Sequence, residues 1–365
     1  MKRLCVILLV LLLPATTMAT EATPIRLLPY EKNEFSPVHG QHFTIPLKLT
    51  KAGKVELRIH TPDGELIRTL HARVAASDEP QHLNWDGKDE QGRVVPDEAY
   101  LPVAILTTRS GERFVYDRRN TGGEVIEGLK MRITPDKNLQ FNLPDPARLL
   151  VRAGIKGGPM LRSLANWEVK NKGSVIVRWN GYDQDGLMDI RKSGKLSIMS
   201  RAYRLPEHAI ITHGNNRLTY RAYRKQLADK SPPPPPSAIK LERNGKRIEK
   251  HYYLPKDINL SPAITVAFTS DYPLNAAGQP ILSCPCPIRV DIANPDDKAQ
   301  LQQSLYEIGF FIDHEFVSEQ EQGYVPLTWR WNPSGLAAGI HVLTVNVSGL
   351  RGEVGVKSLL FEIRQ

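Results

Sequence analysis

Few side chains in this sequence are spaced for chemistry. Cys284-Pro285-Cys286-Pro287 sets two thiols one residue apart. Thiols so placed can chelate a soft metal. They can also close a small strained disulfide, redox-labile because of its strain. An oxidising compartment favours a disulfide, within one chain or between two, over a metal. Without a Cys-x-x-Cys-His run, covalent haem is not expected.

Asp183, Asp185 and Asp189 flank Gly186 in a partial Asp-x-Asp-Gly pattern. Oxygen ligands at that spacing can wrap calcium, a hard cation, although the later bidentate Glu is missing. A hairpin turn whose side chains cap backbone groups accounts for the same residues. Trp329 and Trp331, with Tyr324 nearby, offer a platform on which a sugar could stack. Being two apart, the tryptophans share one face of any strand. The plainer assignment is that they fill a core.

Nucleophile and phosphate motifs are missing. There is no Gly-x-Ser-x-Gly elbow, no phosphate loop and no helical His pair with a carboxylate. A glycosidase pair cannot be picked out among 39 acidic residues. The expectation is a protein that is not an enzyme and has no cofactor, calcium apart.

The elements that would position these residues are strands. In Lys54 to His60, Val55, Leu57 and Ile59 fall on one face and Glu56, Arg58 and His60 on the other. That alternation marks a half-buried antiparallel strand. Pro62-Asp63-Gly64 is a turn, Glu65 to Leu70 a second strand, and Tyr100 to Thr107 a later one. Short strands with regular turn signals predict an all-β chain of sandwich domains with little helix.

The design recurs 94 residues later. Gly64 matches Gly158, Arg68-Thr69-Leu70 matches Arg162-Ser163-Leu164, and Trp85-Asp86-Gly87 matches Trp179-Asn180-Gly181. Asp89 and Gly92 match Asp183 and Gly186, with no gap from Leu57 to Gly92. An internal repeat of this length is the strongest single signal in the chain. The copies part after the turn, where Leu187 to Gly194 is charged and longer.

The first copy resembles the Ig-like domain of the flagellar hook-capping protein type found in exported bacterial proteins. The residues that carry the resemblance are Phe35-Ser36-Pro37, Val55 to Ile59, Asp63-Gly64, Ile67 to Leu70, Trp85 to Gly92, Val95-Pro96 and Tyr100. The resemblance implies tandem Ig-like β-sandwich domains, 20–125 and 126–228. It implies no single activity, since such modules serve as spacers, scaffolds and adhesive parts.

Five prolines, Pro232 to Pro236, predict a stiff polyproline II stretch. It reads as a connector over 229–262, or else as a ligand for an aromatic groove. β patterning returns at Ile264, Val266 and Phe268, and Gly339 to Val347 and Leu359 to Ile363 close a third Ig-like domain over 263–365. Only Asp296 to Ile308 looks helical, through Leu301, Leu305 and Ile308.

Lys2-Arg3, the apolar run Leu4 to Leu13 and Thr17-Met18-Ala19 form the three parts of a signal peptide, residues 1–19. No second run of spanning length follows, so no transmembrane segment is expected after cleavage. Cleavage lowers the formal charge from +9 to +7 and removes Cys5. The densest basic stretch holds Arg217, Arg221, Arg224, Lys225 and Lys230, without a nucleic-acid motif. The expected place is the periplasm, the cell surface or the extracellular space. The expected role is a non-catalytic scaffold of the cell envelope that meets an envelope or extracellular protein. The alternatives are a carbohydrate-binding or adhesin-like protein that takes a polysaccharide, and an exported hydrolase. No nucleic-acid partner is expected.

Overall fold

A computed structural model describes residues 23–364 except 284. The segment read as a signal peptide and Cys284 lie outside the described residues. The first module contains β1 (Ile25–Leu27), β2 (Glu34–Phe35), β3 (Phe43–Leu49), β4 (Gly53–His60), β5 (Leu66–Val74), β6 (Ser77–Trp85), β7 (Ala99–Thr108) and β8 (Arg113–Asp117). One sheet runs β1-β3-β6, and β5-β4-β7 forms the heart of the other. Val55, Leu57 and Ile59 point between them, against Ile45, Leu47 and Trp85. Alternating apolar residues on each strand produce this two-layer core.

The second module repeats the plan with β9 (Met131–Ile133), β10 (Leu139–Leu143), β11 (Ala147–Ile155), β12 (Met160–Lys170), β13 (Gly173–Val177) and β14 (Leu196–Arg204). Its sheets are β9-β10-β13 and β12-β11-β14. The 94-residue offset extends to single hydrogen bonds. Trp85 Nε1 donates to Lys88 O at 2.9 Å, and Trp179 Nε1 donates to Tyr182 O at 3.0 Å. Glu90 N meets Ile67 O, and Gln184 N meets Leu161 O. Arg68 and Arg162 each donate to the carbonyl of the buried turn aspartate, Asp89 or Asp183. One extra residue then enters the second copy: Val95 N bonds Gly87 O, while Ile190 N bonds Gly181 O.

The chain next turns back. β15 (Ile210–Thr212) pairs antiparallel with β7 and parallel with β2, inside the first module's sheet. α1 (Tyr220–Lys225) follows, capped by the Thr219 hydroxyl, and Tyr220 and Tyr223 join the first module's core. The second module therefore ends near Arg204, not at 228. Residues 210–227 belong structurally to the first, because Ile210, Tyr220 and Tyr223 find their apolar partners there.

The proline run does not hold domains apart. Ser231 is tied to Glu65 in the first module, and Glu249 N bonds Gly123 O on the far side of the hairpin β16 (Glu242–Arg243) and β17 (Lys246–Arg247). The third module has β18 (Ile264–Phe268), β19 (Ile281–Leu282), β20 (Cys286–Ile292), α2 (Pro295–Gln302), β21 (Tyr306–Ile312), β22 (Glu315–Gln320), β23 (Leu327–Trp331), β24 (Gly339–Gly349) and β25 (Val354–Ile363). Its sheets are β18-β20-β23 and β19-β25-β24-β21-β22. The helix stops at Gln302, short of the predicted Ile308. Tyr306, Ile308, Phe310 and Ile312 alternate into the core as a strand, leaving Leu305 exposed. Among the described residues no helix is long and apolar enough to cross a membrane.

Candidate functional site at the three-module junction

Buried charge collects where the modules meet. On β11 the odd residues Leu149, Val151 and Ala153 face the sandwich core. The opposite face carries Arg148, Leu150 and Arg152, and it is buried too. A bulge in β12 sets Asn166 and Trp167 opposite Leu150, between the pairs Leu149↔Glu168 and Val151↔Ala165. Trp167, at φ 52°, lies beside Tyr203 and His251 with ring centroids 5.0 and 4.8 Å away. Tyr252 and Leu260 of the connector complete this second, smaller core.

Arg148 faces the first module. Its guanidinium donates to Glu98 Oε1 at 2.5 Å and to Trp167 O at 3.2 Å. Both side chains are nearly inaccessible, at 6% and 7%. Burial pulls the guanidinium down, but the Glu98 carboxylate outweighs it and holds Arg148 above its usual range. Arg152 faces the third module and donates to Gly352 O at 2.6 Å.

Arg224 on α1 is the second hub. It donates to Glu65 at 2.8 and 3.0 Å and to Asp257 at 2.9 Å. Burial pushes the Glu65 carboxyl up, yet the Thr61 hydroxyl and the Arg224 guanidinium hold it below its ordinary value. Asp63 accepts from Tyr220 Oη at 2.9 Å and from the Lys256 amide. The Lys256 ammonium donates to the carbonyls of Tyr252 and Leu254, and burial pulls it down to about 8 against the pull of Asp63. His251 meets Glu249 at 2.9 Å and Arg351 O at 2.8 Å.

Other bridges fasten the third module. Asn346 exchanges two bonds with the Met160 backbone, each 2.8 Å. Arg221 and Lys225 on α1 reach Asp297 and Asp296 on α2. The basic run Arg217 to Lys230 thus directs three cations, Arg221, Arg224 and Lys225, at carboxylates of its own chain. These carboxylates are engaged by guanidinium, ammonium or amide donors of the same chain, an arrangement that suits fixing module orientation. A buried pair of this kind adds little net stability over an apolar contact, but removing one partner is costly.

The predicted site residues do not come together. Asp183 Oδ1 accepts from the amides of Leu187 and Met188, at 2.6 and 3.0 Å. Asp185 is directed to Lys357 and the Ser358 amide, and Asp189 to Arg191. Each carboxylate points to a different donor, which corrects the calcium cage. Among the described residues no group of three or more His, Cys, Asp or Glu could hold a metal ion. Cys286 is buried at the start of β20, opposite Trp331.

Trp329 and Trp331 do share a face, and that face is the core. Trp329 lies against Phe310 with centroids 4.2 Å apart, and Trp331 packs on Phe361 at 5.5 Å. Tyr324 is exposed on the loop before β23. The sugar platform is therefore not formed: the alternation of β23 turns both indoles inward. The junction residues escaped the sequence analysis because Glu98 and Arg148 are 50 positions apart. The one usable signal was the basic density of Arg217 to Lys230.

No family model matches the chain, and no curated protein matches it. Several solved structures are similar. Fibronectin(III)-like modules of Clostridium thermocellum CbhA are 9% identical, covering 93% of this chain and 94% of that one at a TM-score of 0.20. FlgD from Xanthomonas campestris, described for hook capping in flagellar assembly, is 16% identical over 38% of this chain and 78% of its own, at 0.19. A tetra-tandem repeat from the extending region of a large adhesion protein is 11% identical, covering 93% and 73%, at 0.19. The chain itself is a series of β-sandwich modules.

Proposed function

We propose that this chain is an exported, non-catalytic scaffold of the cell envelope, whose Ig-like modules are held in one arrangement and present their surfaces to a protein partner. The observation that carries this reading is the junction. Glu98–Arg148, Arg221–Asp297 and Asp185–Lys357 tie each module to its neighbours through buried or half-buried pairs. Buried polar pairs fix register and orientation more than they add stability, which is what a scaffold requires. The leader-like run at the N-terminus supports export. The polysaccharide alternative loses its strongest support with the inward indoles.

In-cell crosslinking of the tagged full chain, followed by affinity purification and mass spectrometry of the envelope fraction, tests the proposal. One dominant protein in near-stoichiometric amount is expected. Retention on cell-wall or capsular polysaccharide with no protein recovered would overturn it in favour of glycan binding.

A further inference from the structure

The proline run is anchored to the molecule at one end and borders a cleft with two of its residues. Ser231 N donates to Glu65 Oε1 at 3.0 Å, and Arg224 reaches Ser231 O. Pro232 and Pro234 line a cleft of about 380 Å3 together with Tyr252 and Tyr253. At Pro235 the backbone has φ −63° and ψ 152°, a polyproline II conformation. The run then turns through Ala238 N to Pro235 O and Ile239 N to Pro236 O, at 2.8 and 3.1 Å. Polyproline II repeats every three residues. Ser231 and Pro234 therefore share a ridge, on the side of the cleft. Lys230, Pro233 and Pro236 share another; all five prolines are exposed, but this ridge contributes no residue to the lining of the cleft.

That outer ridge differs from an ordinary surface loop. Five successive residues lack an amide donor and cannot enter a sheet ladder. Among the described residues, the carbonyls of Pro232, Pro233 and Pro234 accept no hydrogen bond. Ile239 and Leu241 continue the apolar surface at 43% and 56% exposure. Residues 230–241 contain Lys230 and Lys240 and no acidic side chain. Neither lysine makes an ion pair among the described residues. The segment is anchored to the first module at Ser231, so it is not a free spacer.

We infer that Lys230, Pro233 and Pro236 form a recognition ridge for a protein domain with an aromatic-lined, polyproline-binding groove and an acidic group where Lys230 arrives. Because the stretch is already extended and anchored, docking loses little conformational entropy. The inference rests on the assembly role proposed above and names the segment that makes the contact.

The test titrates the chain from residue 20 to 365 into two isotope-labelled probes, an SH3 domain and a WW domain, followed by NMR. Saturable shifts in the aromatic groove of at least one probe are expected. The Pro233→Ala/Pro236→Ala variant should bind roughly tenfold or more weakly, as should Lys230→Glu. Pro234→Ala, on the inner ridge, should bind like the parent. An unchanged thermal melt shows that each variant is folded. No binding to either probe, binding by a free peptide of residues 229–241 but not by the chain, or equal binding by the Pro233/Pro236 variant would each overturn the inference. An envelope partner that still crosslinks to the proline variant would sink this contact and leave the assembly role standing. Loss of the crosslinked partner with probe binding intact would sink the assembly role alone.

Discussion

Asp185, in the tight turn of the second module, and Lys357, on the last strand of the third, meet across the module boundary at 2.5 Å. The same carboxylate takes the Ser358 amide at 2.6 Å. A residue spaced like a cation ligand is thereby a clasp between modules, and its partner is an ammonium of the same chain. The equivalent turn of the first module, with Asp89 buried and bound to Arg93, has no third-module strand to hold.

Asp185→Ala should therefore loosen the boundary. It leaves the Ser358 amide and Lys357 without their acceptor, a loss of about 1–3 kcal/mol. Chemical denaturation followed by intrinsic fluorescence measures it. Calcium or a chelator should leave the melting temperature of the parent chain unchanged. A melting temperature that rises with calcium would restore the ligand assignment.

Glu98 and Arg148 should be worth more broken than made. Arg148→Met strands a buried carboxylate, and Glu98→Gln strands a buried guanidinium. Each is expected to cost about 3–5 kcal/mol. The double variant should recover a large part of the loss, giving a coupling well above that of an exposed pair. Urea unfolding of all four proteins closes the cycle, and simple additivity would argue against the pair as the bolt between the first two modules.

His60 sets an acid limit. Burial, and then the nearby Arg119 guanidinium, pull its imidazole from 6.5 down to about 4, with Asp117 pulling the other way. A histidine that binds its proton more weakly when folded contributes stability that is fully present above its unfolded value. That stability falls as pH drops from 6.5 towards 4, by up to about 3 kcal/mol. His60→Leu should flatten the stability profile in this window. The same slope in parent and variant would assign the acid sensitivity elsewhere.

Trp329→Ala should act on folding. Its ring lies on Phe310 and Trp331, so truncation is expected to cost about 3 kcal/mol. Tyr324→Ala, on the exposed loop, should leave stability unchanged. Polysaccharide retention lost on Trp329→Ala at full stability would return the sugar platform to consideration.

Alternation and turn chemistry, both local properties, gave away much of the architecture. Val55, Leu57 and Ile59 announce one strand face; Trp85 to Gly92 announces a turn whose copy 94 residues later makes the same hydrogen bonds. The helix prediction failed at Tyr306 because Leu301, Leu305 and Ile308 fit a helical period by chance, while Tyr306 to Ile312 fit a strand. α1 was not predicted: its six residues are too few for a helical period to stand out.

By itself the sequence determined that the chain is built of repeated β-sandwiches, because a strand needs only its own alternation to define a buried face. Only the tertiary structure decided that the other face of β11 is buried as well. Arg148 aligns with Lys54 in the repeat, and Arg152 with Arg58, yet only the second-copy residues end inside the junction. The reason is that burial there is made by chain segments returning from far away: the first module across 50 residues to Arg148, and the third across 172 to Asp185. A single cation meeting a single carboxylate leaves no period in the sequence. It becomes legible only when the fold brings the two together.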